Sequence, residues 1–143
     1  MTVRAILSRK GRDVATIAPT VSLSEAVRLL AQRRIGAVVV TGPDDRVAGI
    51  LSERDIVRSL SERGPAALDD NVAAVMTRKV MTCTEAETVA AIMERMTAGK
   101  FRHLPVVEQG RLAGIISIGD VVKWRLEEIE GETNALREYI ATA

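Results

Sequence analysis

Aromatic side chains are nearly absent from this chain: one Phe, one Trp and one Tyr in 143 residues. That excludes a single-strand nucleic-acid binder, which needs a row of rings on which bases can stack. No charge of one sign dominates either. Twenty Lys and Arg stand against nineteen Asp and Glu, a formal net charge of +1, whereas a nucleic-acid surface carries a clear basic excess. The lone Cys83 cannot form an intramolecular disulfide, so a reducing compartment is expected and the thiol reads as a small buried hydrophobe. One histidine, His103, is too few for a zinc centre. The longest aliphatic run, "IGAVVV", falls far short of the ~20 residues a membrane helix needs. The opening "MTVRAILSRKGRD" has no apolar h-region and no small-residue cleavage site. Together these absences predict a soluble, cytoplasmic chain with no nucleic-acid or membrane partner.

What the chain does have is an internal repeat. "GILSERD" (49–55) and "GIISIGD" (114–120) place Gly, two aliphatics, Ser and Asp at one spacing. Gly49, Ser52 and Asp55 recur as Gly114, Ser117 and Asp120, at an offset of 117 − 52 = 65. Upstream, "RIGAVVV" (34–40) aligns with "KFRHLPVV" (100–107), Ile35 on Phe101, at an offset of 66. A shorter turn in the second copy accounts for the difference. Each copy spans roughly sixty residues, too few to bury a good core alone, so two copies packed together are expected.

Both copies read as a short extended lead-in ("TIAP", "VMTC"), then helix, strand, strand, helix. Ser22 and Glu25 form a capping-box pattern ahead of Leu23, Ala26, Val27, Leu30 and Ala31 at helical spacing. Val89, Ile92, Met93 and Met96 repeat that face in the second copy. "NVAAVMT" (71–77) reads as a short linking helix capped by Asp70 or Asn71. Met76, Met81, Met93 and Met96 are expected to fill core gaps, and "SRKGR" (8–12) to form a solvated turn. Near the end, Val122, Leu126, Ile129, Thr133, Leu136 and Ile140 step by 4, 3, 4, 3, 4, the spacing of a helical seam. Gly131 weakens a continuous helix there by about 1 kcal/mol relative to Ala.

Twin copies that each close on Gly–aliphatic–aliphatic–Ser–x–x–Asp resemble the cystathionine-β-synthase-type domain, the CBS domain, in tandem. "TIAPTVSLSEAV", "RIGAVVV", "VAGILSERDIV", "RHLPVV" and "LAGIISIGDVV" carry the likeness over about residues 12 to 131. The chain is similar to the small stand-alone bacterial CBS-pair proteins. The resemblance implies an α/β (α+β) fold, two β-α-β-β-α repeats packed sheet to sheet with pseudo-twofold symmetry, plus a C-terminal helical extension. The expected division is an N-terminal segment (1–11), a first repeat (12–66), a linker (67–75), a second repeat (76–131) and a helical tail (132–143).

The resemblance also implies a non-catalytic module with two clefts for AMP or a related adenosine compound: ADP, ATP, NADH or S-adenosylmethionine. In the main cleft Asp120 would hold the ribose hydroxyls and Ser117 would contact ribose or phosphate. Arg102 and His103 would reach phosphate, and Ile35, Gly36 and Ala37 would flank the adenine. The second cleft would use Ser52, Arg54 and Asp55 with Phe101, Arg102 and His103. Gly36 and Ala37 stand there at the positions equivalent to Arg102 and His103, so the phosphate clamp is missing and Arg54 is the substitute. A homodimer and an unidentified effector protein are the implied partners.

The residue types suit that chemistry. A Ser where a strand enters a helix faces unpaired N–H groups and the positive end of the helix dipole. An ionised Asp in the first turn can accept both hydroxyls of a vicinal diol, in bonds worth roughly 1.5–3 kcal/mol each. The same pattern is equally a helix cap, with Ser at the N-cap and the acid at N3. A duplicated domain duplicates its caps whether or not it binds anything. An interaction scaffold without ligand is therefore a rival reading. A nucleotide-processing enzyme is a weaker one, because the sequence offers no activated nucleophile paired with a base.

Overall fold

A computed structural model describes residues 1–142; Ala143, the last position of the expected tail, lies outside them. Local chemistry starts the two matching amphipathic helices. Ser22 Oγ accepts the Glu25 N–H at 3.2 Å ahead of α2 (Leu23–Arg33), and Thr88 Oγ1 accepts the Ala91 N–H at 3.1 Å ahead of α5 (Val89–Gly99). Only the Ser22 half of the expected capping box forms. Each helix ends on a left-handed residue, Arg34 (φ 54°) and Lys100 (φ 56°), which turns the chain into a strand.

Those strands are β2 (Ala37–Thr41) and β4 (His103–Glu108), and each returns through an antiparallel partner, β3 (Val47–Ser52) and β5 (Arg111–Ser117). Ala37 pairs with Ser52 and His103 with Ser117; Val40 pairs with Gly49 and Val106 with Gly114. Both hairpins then slip register at the same place, after Val40 and after Val106. The two offsets in the sequence are thus one strand pairing, repeated. The lead-ins match as well. β1 (Thr16–Ile17) runs parallel to β2, and Cys83 makes a parallel bridge to Val106.

Two cores result. Leu23, Ala26, Leu30, Val38, Val40 and Leu51 lead one; Val89, Ile92, Met96, Leu104, Val106 and Ile116 lead the other. Strand alternation leaves Val39 and Pro105 (105 − 39 = 66) on the opposite face, and both are buried where the halves meet. Of the four methionines expected inside, Met76 and Met96 are buried and Met93 is partly so. Met81 is 49% exposed. It stands outside any helix or strand, where no apolar face draws it inward.

The N-terminal segment, set outside both repeats in the sequence, is helical and packs inward. Residues Val3–Lys10 form a helix, α1, whose Val3, Ile6 and Leu7 are buried in the second core. Its counterpart is α4 (Val72–Val75), which puts Val72 and Met76 into the first core. Asn71 stands at its N-cap without a side-chain bond, and Asp70 pairs with Arg63 instead. A Cβ on Gly49 would lie 2.6 Å from Met76 Sδ, and one on Gly114 would lie 2.7 Å from Leu7 Cδ2. Only glycine lets each helix approach its strand so closely. The solvated-turn reading of "SRKGR" holds for Gly11 and Arg12 alone, since Ser8, Arg9 and Lys10 are the exposed face of α1.

The chain continues from β3 into α3 (Glu53–Arg63) and from β5 into α6 (Ile118–Thr142). α6 is one 25-residue helix; Gly131 does not interrupt it, and a Cβ added there would meet nothing within 4 Å.

Candidate ligand-binding clefts

Both Ser–x–x–Asp corners form complete helix caps. In the first, Ser52 Oγ accepts the Asp55 N–H at 3.3 Å, and Asp55 Oδ2 accepts the Ser52 N–H at 3.0 Å. In the second, Ser117 Oγ accepts the Asp120 N–H at 3.1 Å, and Asp120 Oδ2 accepts the Ser117 N–H at 2.9 Å. Capping therefore occupies one oxygen of each carboxylate. What remains for a ligand depends on the other oxygen.

The two carboxylates differ sharply there. Asp55 is buried, and its Oδ1 takes the Arg58 guanidinium and the Thr77 hydroxyl, the latter at 3.1 Å. No acceptor is left over. Asp120 is half-buried, and its second partner, the Lys10 ammonium at 2.7 Å, shares Oδ2. Among the described residues nothing donates to Asp120 Oδ1. Burial would raise the Asp120 pKa, but the Lys10 and Ser117 hydrogen bonds outweigh it and hold the carboxyl below its usual range.

Each corner opens on a crevice between the halves. The crevice at Asp55 holds about 430 Å³ and gathers Ser52, Arg54, Asp55, Phe101, Arg102 and His103, all six residues expected for the second cleft. Arg58 and Lys100 join them, so four cations face Glu53 and a satisfied Asp55. The crevice on the other side also holds about 430 Å³ and brings together Ile35, Gly36, Ala37, His103 and Ser117, with Lys10, Arg33 and Arg34. His103 reaches both, because a Cβ at Gly36 would already touch its ring at 3.6 Å. Burial, then the nearby Lys10 ammonium, holds His103 below the usual histidine range, so it is neutral at pH 7.

Two residues expected in the main cleft stand elsewhere. Arg102 lines the Asp55 crevice, not the Asp120 one. Its backbone carbonyl accepts the Ile118 N–H at 2.8 Å, in the bend that precedes β4. Asp120 itself lines a neighbouring hollow of about 190 Å³ with Arg9, Lys123, Trp124 and Glu127. Lys10 borders both spaces and bonds Asp120 and the Ile115 carbonyl, the latter at 2.9 Å, so it divides one cleft into two.

Sequence reasoning missed Lys10, Arg33, Arg34, Arg58, Thr77 and Lys100. Arg58 was findable, three residues beyond Asp55 on one helix face. Lys10 lies 110 residues from its partner, and no local pattern announces it. Cys83 is buried, and burial pushes its thiol up to about 12, so it holds no thiolate at neutral pH.

The CBS-domain family model matches twice, over residues 3–62 and 72–127. A mitochondrial CBS domain-containing protein of Arabidopsis thaliana is 35% identical over 120 residues, which cover 81% of this chain and 58% of that protein. The chain thus spans little more than half of that relative. The crystal structure of a CBS-domain containing protein from Agrobacterium tumefaciens is 52% identical, with a TM-score of 0.85 over 87% of this chain and 99% of that one. A CBS domain protein of Pyrobaculum aerophilum, solved in complex with AMP, is 28% identical with a TM-score of 0.75, over 84% and 89% of the two chains.

Proposed function

The chain belongs to the CBS-domain family, and on that premise we propose that it is a non-catalytic regulatory module that binds AMP or a related adenosine compound between its halves. The observation that carries this reading is Asp120, a carboxylate held ionised at a strand-to-helix corner with one oxygen that accepts no hydrogen bond among the described residues. An open carboxylate oxygen suits a ribose hydroxyl, and the nearby Ser117 cap offers helix N–H groups to an anion. The AMP complex of the Pyrobaculum relative supports the ligand class. Lys10, Arg33 and Arg34, which line the adjoining crevice at Ser117, take the phosphate role expected of Arg102. The Asp55 crevice is the weaker ribose site, because its carboxylate is already satisfied, although its four cations suit a phosphate.

A ligand that touches both halves changes their packing only through its differential affinity for two arrangements. The signal then passes to a separate effector protein, and the module acts as a cytoplasmic homodimer. ADP, ATP, NADH and S-adenosylmethionine share the adenosine end that these residues address. Isothermal calorimetry with AMP, adenosine, NADH and S-adenosylmethionine, on protein cleared of co-purified ligand by native mass spectrometry, tests the proposal. AMP binding that saturates is expected, and silence from all four at millimolar concentration overturns it.

The scaffold reading draws on one specific observation, the full satisfaction of Asp55. It predicts that no adenosine compound binds in either cleft and that thermal unfolding does not shift with any of them.

A further inference from the structure

α6 carries its apolar stripe beyond the body of its own repeat. Leu126, Ile129, Leu136 and Ile140 are 56%, 42%, 58% and 65% exposed, on a helix about 37 Å long. We propose that this stripe is the seam of a parallel two-stranded coiled coil with α6 of a second copy, which deepens the homodimer reading by fixing its orientation.

The flanking charges select the arrangement. With Leu126, Thr133 and Ile140 at a positions and Ile129 and Leu136 at d, Arg125 and Glu132 fall at g and Glu130 and Arg137 at e. In a parallel pair each g residue faces the e residue five places on in the partner. Arg125 then meets Glu130 and Glu132 meets Arg137, from both sides, so all four flanking contacts join opposite charges. The antiparallel register that covers the same stripe sets Glu130 against Glu130, Glu132 against Glu132 and Lys123 against Arg137. Every one of those is a like-charge contact. The antiparallel registers that join opposite charges each leave part of the stripe uncovered: pairing Arg125 with Glu132 leaves Leu136 and Ile140, and pairing Glu130 with Arg137 leaves Leu126. Within the chain, Glu130, Glu132 and Arg137 enter no ion pair among the described residues, so they are available to a partner. Ile140 at a with Leu136 at d suits two strands, although Leu126 at a with Ile129 at d does not add to that preference, and Gly131 falls at f, facing solvent.

Sedimentation velocity and thiol crosslinking test the seam on the full chain. Leu136→Cys should crosslink to itself under mild oxidation, since position 136 faces its own copy in the parallel pair and Leu126 in the antiparallel one that covers the stripe; the buried Cys83 does not compete. Arg137→Glu should raise the dimer dissociation constant roughly five- to tenfold, and adding Glu132→Arg should restore it. Circular dichroism and AMP binding should not change, which separates the seam from the ligand site. A dimer that neither crosslinks through Leu136→Cys nor responds to the charge exchange overturns the coiled coil and leaves the homodimer standing. A monomer at every soluble concentration overturns both.

Discussion

Replacing Lys10 with Met keeps the apolar stem and removes only the ammonium that joins α1 to Asp120. The pair is 2.7 Å apart, with side chains 31% and 22% exposed, between a solvated surface pair and a fully enclosed one. Surface pairs are worth about 0–1 kcal/mol, and breaking an enclosed pair costs about 3–5 kcal/mol. The half-covered geometry therefore sets the loss at about 1–2 kcal/mol, or roughly 3–6 °C in melting temperature for a chain of this size. Because Asp120 is held below its usual range when folded, the pair's contribution is present above the unfolded value of about 3.9 and fades as pH falls through the lower folded value. Urea denaturation followed by circular dichroism should thus show the variant's full deficit at pH 7 and a shrinking one below about pH 4. In parallel, the Asp120 carboxyl should titrate higher in the variant by NMR. An undiminished deficit at low pH would assign the effect to the Ile115 carbonyl bond and refute the ion-pair argument.

Other substitutions probe the remaining links. Asp120→Ala should weaken AMP binding at least about tenfold by calorimetry, since one lost charge-assisted bond exceeds ~1.4 kcal/mol; unchanged affinity misplaces the ribose. Arg102→Ala should spare the tighter AMP site and weaken only a second, looser one, because Arg102 lines the Asp55 crevice. A loss at the tighter site reverses the order of the two. Gly49→Ala should destabilise by about 1–3 kcal/mol in thermal melts, as the new methyl would lie 2.8 Å from the Thr77 carbonyl oxygen, a backbone atom that cannot swing aside. Leu7→Ala should cost about 2–5 kcal/mol although it lies in the N-terminal segment outside both repeats, because it is 1% exposed in the second core.

The repeat made the hairpins legible before any coordinates, because strand pairing preserves offset: Ala37 with Ser52 and His103 with Ser117 differ by the same 66 and 65 residues that the motifs do. α1 escaped for the same reason. Val3 and Leu7 correspond to Val72 and Met76 at an offset of 69, so a search at 65 or 66 passes over them. The clefts were legible as residue types and less so as places. Ser117, His103 and the Ile35–Ala37 stretch gathered as expected, whereas Arg102, in the bend before β4, lines the Asp55 crevice alone. The hold of Lys10 on Asp120 is a product of tertiary packing alone.

The crossing of α1 to the far half and α4 to the near one has a consequence for how the protein is made. α1 precedes β5, the strand it shields, by about a hundred residues of chain. During synthesis its greasy side must wait, uncovered, while everything between is translated. Contacts of such long reach are slow to form and leave a sticky intermediate in the meantime. The second half cannot be cut out and expected to stand alone, because its lid, α1, would stay behind with the first.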